Sequence, residues 1–303
     1  MKEKDIRLLM EVSKDSDLRQ GWMRGVEVQR TQSLKAGKLM YVKSYPIWDT
    51  TTRRDAEAHL SKAKERNGTT AAQKRLNARH ASERLEQLIN ANFGAGDLLL
   101  SLTYRRKDAP QTVEESQKHV RNFLARLRRL CRKQGAPDPK YVYVTETKTS
   151  KWEGTTYHHH MALKVALPRD EVEALWRKKH GYGDIKIAWD KENNLTQWAK
   201  YMAKEVCAGV HTEEYAQKHR WAASKGLKVP PARESDKKIS RRRVEAIAKE
   251  MQRDPDVAKM HMEACYPGYE VLEMTVRTSE WVGGAYVQAI LAKVDKRNEN
   301  RRQ

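Results

Sequence analysis

Three consecutive histidines, His158, His159 and His160, stand in the run YHHHMALKVA. In a strand, side chains alternate between faces, so His158 and His160 point one way and His159 the other. Two imidazoles on one face can share a metal ion. Glu146 ends the preceding alternating run, YVYVTETK, and reaches the same face as a third ligand if the two runs pair as a hairpin. Two histidines and one carboxylate with open positions make a reactive metal centre, which by itself suits zinc, manganese or iron. Surface histidines on an edge strand, or one buried and hydrogen-bonded, are the competing reading, and the residues alone leave both open.

Tyr201 and Lys204 lie three residues apart in the helical segment Leu195–Val206, which places a phenol and an ammonium on one face. A phenol beside a bound phosphate can attack phosphorus, and a neighbouring cation can lower its pKa and neutralise developing charge. A core tyrosine with a solvated lysine is the plainer alternative. It weakens because the same stretch supplies a candidate metal site and a basic surface.

The elements that must position these groups are readable around them. Asp97–Tyr104 (DLLLSLTY) is apolar and too short for a helix, so it reads as a buried strand. Thr112 with Glu115 fits a capping box for a helix that aligns Val120, Phe123, Leu124, Leu127, Leu130 and Cys131 and ends at Gly135. Tyr141–Lys148 and Tyr157–Ala166 alternate as strands around a polar loop, Thr149–Thr155. Pro168 opens a helix to about Lys179, a short strand covers Ile185–Trp189, and Asn193-Asn194 caps the helix bearing Tyr201.

Outside this core, Lys38–Trp48 reads as a strand, Asn67-Gly68 as a turn and Thr70–Asn92 as a long polar, basic helix. A basic loop (Lys225–Lys238), a helix (Ser240–Met251) and a hairpin from Tyr269–Arg277 to Ala285–Val294 around Gly283-Gly284 follow. The pattern describes an α+β fold, a central antiparallel sheet with flanking helices, with an N-terminal helical extension and a C-terminal helix and hairpin. It divides the chain into residues 1–96, a core at 97–206, and 207–303.

The 303 residues carry 60 Lys+Arg against 40 Asp+Glu, a net charge of +20. Residues 98–206 hold 22 basic and 13 acidic side chains, the largest excess of any third, so no tail explains the total. A basic field spread over a folded body favours a polyanion, with nucleic acid as the leading candidate. No run approaches the roughly 18 apolar residues of a membrane helix, and MKEKDIRLLMEVSKD lacks the apolar stretch of a signal peptide, so the expectation is a soluble, cytoplasmic protein. Cys131, Cys207 and Cys265 are too few and too far apart for a disulfide framework or a cysteine zinc site.

Taken in order, three motifs resemble those of the HUH endonucleases, specifically the single-tyrosine initiators of rolling-circle replication in phages and plasmids. They are the apolar strand ending Ser101-Leu102-Thr103-Tyr104, the strand His158-His159-His160, and Tyr201-Met202-Ala203-Lys204. The resemblance spans about Asp97 to Val206 and implies a nuclease core related to RRM folds. One departure is His159, where the family has a bulky apolar residue. The tyrosine follows the histidines, an order that favours initiators over relaxases, and Gln197 and Glu205 leave one tyrosine on the helix.

The resemblance implies that His158, His160 and Glu146 hold a divalent ion, Mg²⁺ or Mn²⁺. Tyr201 would attack single-stranded DNA at an origin of replication, giving a 5′-phosphotyrosyl enzyme and a free 3′-OH, with Lys204 steadying the phosphate. The covalent bond would allow later rejoining, so the activity is that of a nuclease and strand transferase. Thr103, Arg105, Arg121, Arg128, Arg129, Arg132, Arg241, Arg242 and Arg243 are candidate DNA contacts. Without a Walker motif, a host helicase would unwind the duplex and a host polymerase extend the 3′ end. A transposase or relaxase of the same superfamily, a water-using metal hydrolase, and a non-catalytic basic DNA-binding protein are the alternatives.

Overall fold

The structure is a computed structural model that describes residues 26–48, 71–150, 154–188, 194–208, 221–278 and 285–294. The chain forms two compact units, one spanning Ala78–Val229 and one combining the described parts of residues 1–77 and 230–303. Each contains one five-stranded antiparallel sheet, giving an α+β fold.

The second unit is built from β1 (Val26–Ala36) and β2 (Leu39–Trp48), joined by a tight turn at Gly37. The first unit starts within α1 (Ala71–Asn92) and continues through β3 (Leu98–Leu102), α2 (Val113–Lys133), β4 (Lys140–Ser150) and β5 (Gly154–Lys164). It ends with α3 (Arg169–Arg177), β6 (Gly183–Ile187), α4 (Asn194–Ala208) and β7 (Trp221–Ala223). The chain then returns to the other unit with β8 (Ala232–Ser235), α5 (Arg241–Arg253), α6 (Pro255–Glu263), β9 (Tyr269–Thr278) and β10 (Ala285–Lys293).

In the Ala78–Val229 unit the strand order is β6-β3-β5-β4-β7, and period-two alternation splits each strand between two cores. Leu98, Leu100, Leu102, Tyr143, Met161 and Leu163 meet Phe123 and Leu127 of α2 and Trp176 of α3 on one face. Leu99, Val142, Val144 and Ala162 meet α1 and α4 on the other. A sheet buried on both sides accounts for the unbroken apolar run of β3. α2 forms as its sequence dictates. The Thr112 hydroxyl accepts from Glu115 N at 3.2 Å, while the Glu115 carboxylate reaches back to Gln111 N at 2.7 Å. Gly135, at φ +70°, ends the helix, and Ala136 N closes onto the Cys131 carbonyl at 2.8 Å.

The other unit orders its strands β8-β1-β2-β10-β9. Val42, Val287, Ala289 and Leu291 pack against Val244 and Ile247 of α5 and Ala258 and Met262 of α6. Ser240 caps α5 by accepting from Arg243 N at 3.3 Å. Asp254 caps α6 ahead of Pro255 at its first position.

Several boundaries differ from the sequence reading. Strands β4 and β5 pair as far as Ser150 and Gly154, so the expected loop at Thr149–Thr155 is narrower. The short strand is Gly183–Ile187 rather than Ile185–Trp189, because its register is set by pairing Leu102 with Gly183. The basic loop Lys225–Lys238 contains β8, which pairs with β1. The turns at Asn67-Gly68 and Gly283-Gly284, residue Asn193 and the amino-terminal segment lie outside the described residues. Among those described, no helix is long and apolar enough to cross a membrane.

Candidate active site

The hairpin of β4 and β5 sets the chemistry. Its register pairs Glu146 with His158, Thr145 with His159 and Val144 with His160. Directly paired residues share a face, so Glu146, His158 and His160 lie together on the side covered by α1 and α4. On the neighbouring strand Ser101 pairs with His160.

Four side chains converge there. His160 Nε2 lies 2.9 Å from Glu146 Oε2, and His160 Nδ1 lies 3.1 Å from Ser101 Oγ. The Tyr201 hydroxyl donates to Glu146 Oε2 at 3.3 Å and lies 3.2 Å from His160 Nε2. Lys148 Nζ stands 3.1 Å from Glu146 Oε1, so each carboxylate oxygen has a partner. An ionised carboxylate only accepts; in this arrangement His160 Nε2 therefore carries the proton, and Nδ1 accepts from Ser101.

Burial raises the Glu146 carboxyl's pKa, but hydrogen bonds and charge from His160 and Lys148 outweigh it and hold it below the ordinary value. Burial lowers both His160 and the half-buried His158, with Glu146 opposing. The face thus holds an anionic carboxylate beside imidazoles biased to neutrality.

Tyr201 is carried by α4 and is 36% exposed, with its ring edge-on to His160 at 4.8 Å. One turn earlier, Trp198 stacks on Tyr201 at 5.7 Å and meets His160 edge-on at 5.5 Å. The indole Nε1–H donates to the Met161 carbonyl at 3.3 Å, fastening α4 to β5. Ser82 of α1 holds the same helix by donating to the Ala203 carbonyl at 2.7 Å. Lys204 is exposed one turn beyond Tyr201.

His159 faces the other core and is fully buried. Its Nε2 lies 2.8 Å from the Tyr104 hydroxyl and its Nδ1 3.0 Å from Thr145 Oγ1. Burial drives its pKa well below the ordinary value. Of the two readings open for the histidines, the buried, hydrogen-bonded one therefore describes the middle residue.

Residues 97–206 match a family model of replication-associated proteins, the ORF2 type. The match covers about a third of the chain and contains every group that meets at Tyr201. This segment is therefore similar to replication-associated proteins. No curated protein and no solved structure gives a significant match.

The candidate DNA contacts are dispersed. Thr103 continues the Ser101 face, donating from Oγ1 to the Tyr182 carbonyl at 3.1 Å, and Arg105 Nε pairs with Asp108 at 2.6 Å. Arg121, Arg128, Arg129 and Arg132 lie on α2, which covers the opposite side of the sheet from Tyr201, and Arg128 and Arg132 both pair with Asp138. Arg241, Arg242 and Arg243 belong to the other unit. Sequence reasoning missed Ser101 as a partner of His160, Lys148 as a partner of Glu146, and Trp198. For Trp198 a signal existed: an aromatic three residues before the tyrosine on one helix shares its face.

Proposed function

We propose that residues 97–206 form the catalytic core of a replication initiator that nicks and rejoins single-stranded DNA through Tyr201, as in the single-tyrosine HUH endonucleases. The observation that carries this reading is the meeting of the Tyr201 hydroxyl with His160 and Glu146 at a partly exposed point of a basic domain. In the first step the phenolic oxygen bonds to phosphorus and the bond to the 3′ oxygen breaks. The product is a 5′-phosphotyrosyl enzyme and a 3′-OH. Glu146 Oε2, which already accepts from the phenol, is placed to take its proton. Trp198 fixes the phenol's direction, and Lys204 meets the phosphate from the exposed side. Rejoining reverses the step when a 3′-OH returns.

Among the described residues no group of three His, Cys, Asp or Glu side chains lies close enough to hold a metal ion as the side chains stand. The donor chemistry nevertheless fits a divalent ion, Mg²⁺ or Mn²⁺, on His158, His160 and Glu146. The three share one face, and their protonation bias is the one ligation requires: an anionic carboxylate and neutral imidazoles. Ligation through His160 Nε2 needs the other tautomer, and Ser101 Oγ can equally accept from Nδ1–H. When bound, the ion would polarise the scissile phosphate. A host helicase and polymerase would supply unwinding and extension.

The test is incubation of the protein with Mn²⁺ and single-stranded oligonucleotides tiling the element's own origin, read as a protein–DNA adduct on an SDS gel. The expected adduct maps to Tyr201 and disappears in Tyr201→Phe, while DNA binding persists. An adduct that survives in Tyr201→Phe overturns the assignment of the nucleophile, and cleavage without any adduct points instead to a water-using hydrolase.

A further inference from the structure

We infer that Tyr182 is a base-stacking residue for single-stranded DNA beside the reacting centre, which deepens the reading of Tyr201 and rests on it for the identity of the strand. Tyr182 and Tyr201 are the exposed aromatic side chains among the described residues, and Tyr182, at 66%, is the more exposed.

Register places Tyr182 on the same side of the sheet as the site. Ser101 pairs with His160 on one side and with Asp184 on the other. Backbone pairing continues past the ends of both strands: Thr103 N donates to the Tyr182 carbonyl and Arg105 N to the His180 carbonyl, each at 2.9 Å. Thr103 and Tyr182 therefore extend the Ser101 face. Tyr104, between Thr103 and Arg105, points to the opposite core, where it meets His159. Two strand spacings separate β6 from β5, so Tyr182 stands about 10 Å from the His160 strand. A strand bound at Tyr201 reaches that distance within a few nucleotides.

The backbone that presents the ring is held tightly. A Cβ at Gly181 would lie 2.5 Å from Arg105 N and 2.6 Å from the Thr103 carbonyl oxygen, so only glycine permits this approach. Trp176 Nε1 clamps the same carbonyl at 2.8 Å. An aromatic ring on a fixed backbone has only its own two torsions to lose on binding, which keeps the entropic penalty of stacking small. A ring this exposed packs little of its surface within the fold, whereas a nucleobase offers a π face of matching size.

The surrounding charge suits the same ligand. Exposed Arg106 and Lys107 follow Arg105 directly. Lys186 pairs with Asp184 at 3.3 Å, which offsets the carboxylate nearest the ring. Cations for the phosphates beside an aromatic for the bases is the usual composition of a single-strand binding surface.

The experiment measures binding in the Tyr201→Phe background, which removes the chemistry, using a fluorescein-labelled dT20 and a 20-mer of abasic nucleotides. Tyr182→Ala should weaken dT20 binding about fivefold to tenfold, the low end of what one stacked base contributes, and leave the abasic strand's affinity unchanged. Tyr182→Phe should bind dT20 as the parent does, because the ring and not the hydroxyl is used. Equal weakening on both strands, no weakening by Tyr182→Ala, or a Phe variant as weak as Ala would each overturn the inference. An adduct persisting in Tyr201→Phe would instead displace the nucleophile and leave the stacking result standing. Failure of the parent to bind dT20 would overturn both.

Discussion

Strand β5 places the same residue type in two opposed environments one position apart. On one face His160 meets Glu146, Ser101 and Tyr201 at the edge of solvent. On the other, His159 is sealed among Tyr104, Thr145 and Trp176. The first has a carboxylate that can balance a proton or share a cation. The second has only neutral partners, each of its nitrogens is already satisfied, and no charge reaches it without a desolvation penalty. The difference teaches that a histidine run is not a unit of function: alternation divides it, and the neighbouring strands give each ring its task.

Substitution should separate the two faces. His160→Ala removes the group nearest the Tyr201 oxygen, and nicking should fall by about a hundredfold or more, the usual loss for a group acting on the reacting centre, with the unfolding midpoint little changed. His159→Ala should do the reverse. It opens a cavity and orphans the Tyr104 hydroxyl and Thr145 Oγ1, so stability should drop by about 3 kcal/mol. Nicking per folded molecule, measured at low temperature, should fall far less than for His160→Ala. Urea unfolding and adduct formation on the same preparations check both. If His159→Ala proved as inactive as His160→Ala while remaining folded, the division between the faces would be wrong.

The face that carries the chemistry was more legible in sequence than its surroundings. Alternation in YVYVTETK and YHHHMALKVA implied strands, and strands put His158 and His160 together without further information. The α2 helix announced itself through Thr112, Glu115 and its apolar stripe, because caps and periodicity are local. That α2 covers the far side of the sheet, carrying its arginines away from Tyr201, was not readable: the face a helix covers is fixed by tertiary packing. Strand β1 was also hidden, since VEVQRTQSLKA buries Gln29 and Thr31 rather than an apolar alternation. Its sheet joins β2 to β10, and no local signal announces a pairing of Val42 with Ala289. Register within β4 and β5 needed the structure too, and only register makes Glu146 a neighbour of His160.

The smallest expected effect concerns acid, and it probes the sealed face. Beneath His159, His180 stacks on His119 at 4.5 Å and packs against Tyr104 and Trp176, with Nε2 buried and unpartnered. Burial first, then the charges of His119, Arg126 and Lys179, lowers the His180 pKa to about 4; Asp108 opposes this but is already bridged to Arg105. In the unfolded chain the same imidazole titrates near 6.5. Between these values the unfolded state binds the extra proton, so acidification favours unfolding. Stability from this group is fully present above about pH 6.5, declines as pH falls, and is gone near pH 4, a loss of roughly 2 kcal/mol after allowing for partial solvation. His159, shifted in the same direction, adds to the slope. Urea midpoints at pH 7.5, 6.0 and 5.0 should fall in the parent and fall less steeply in His180→Phe, which keeps the ring stack without the proton. Equal slopes in the two proteins would mean that the sealed face tolerates charge after all, and the contrast drawn across β5 would then rest on His159 alone.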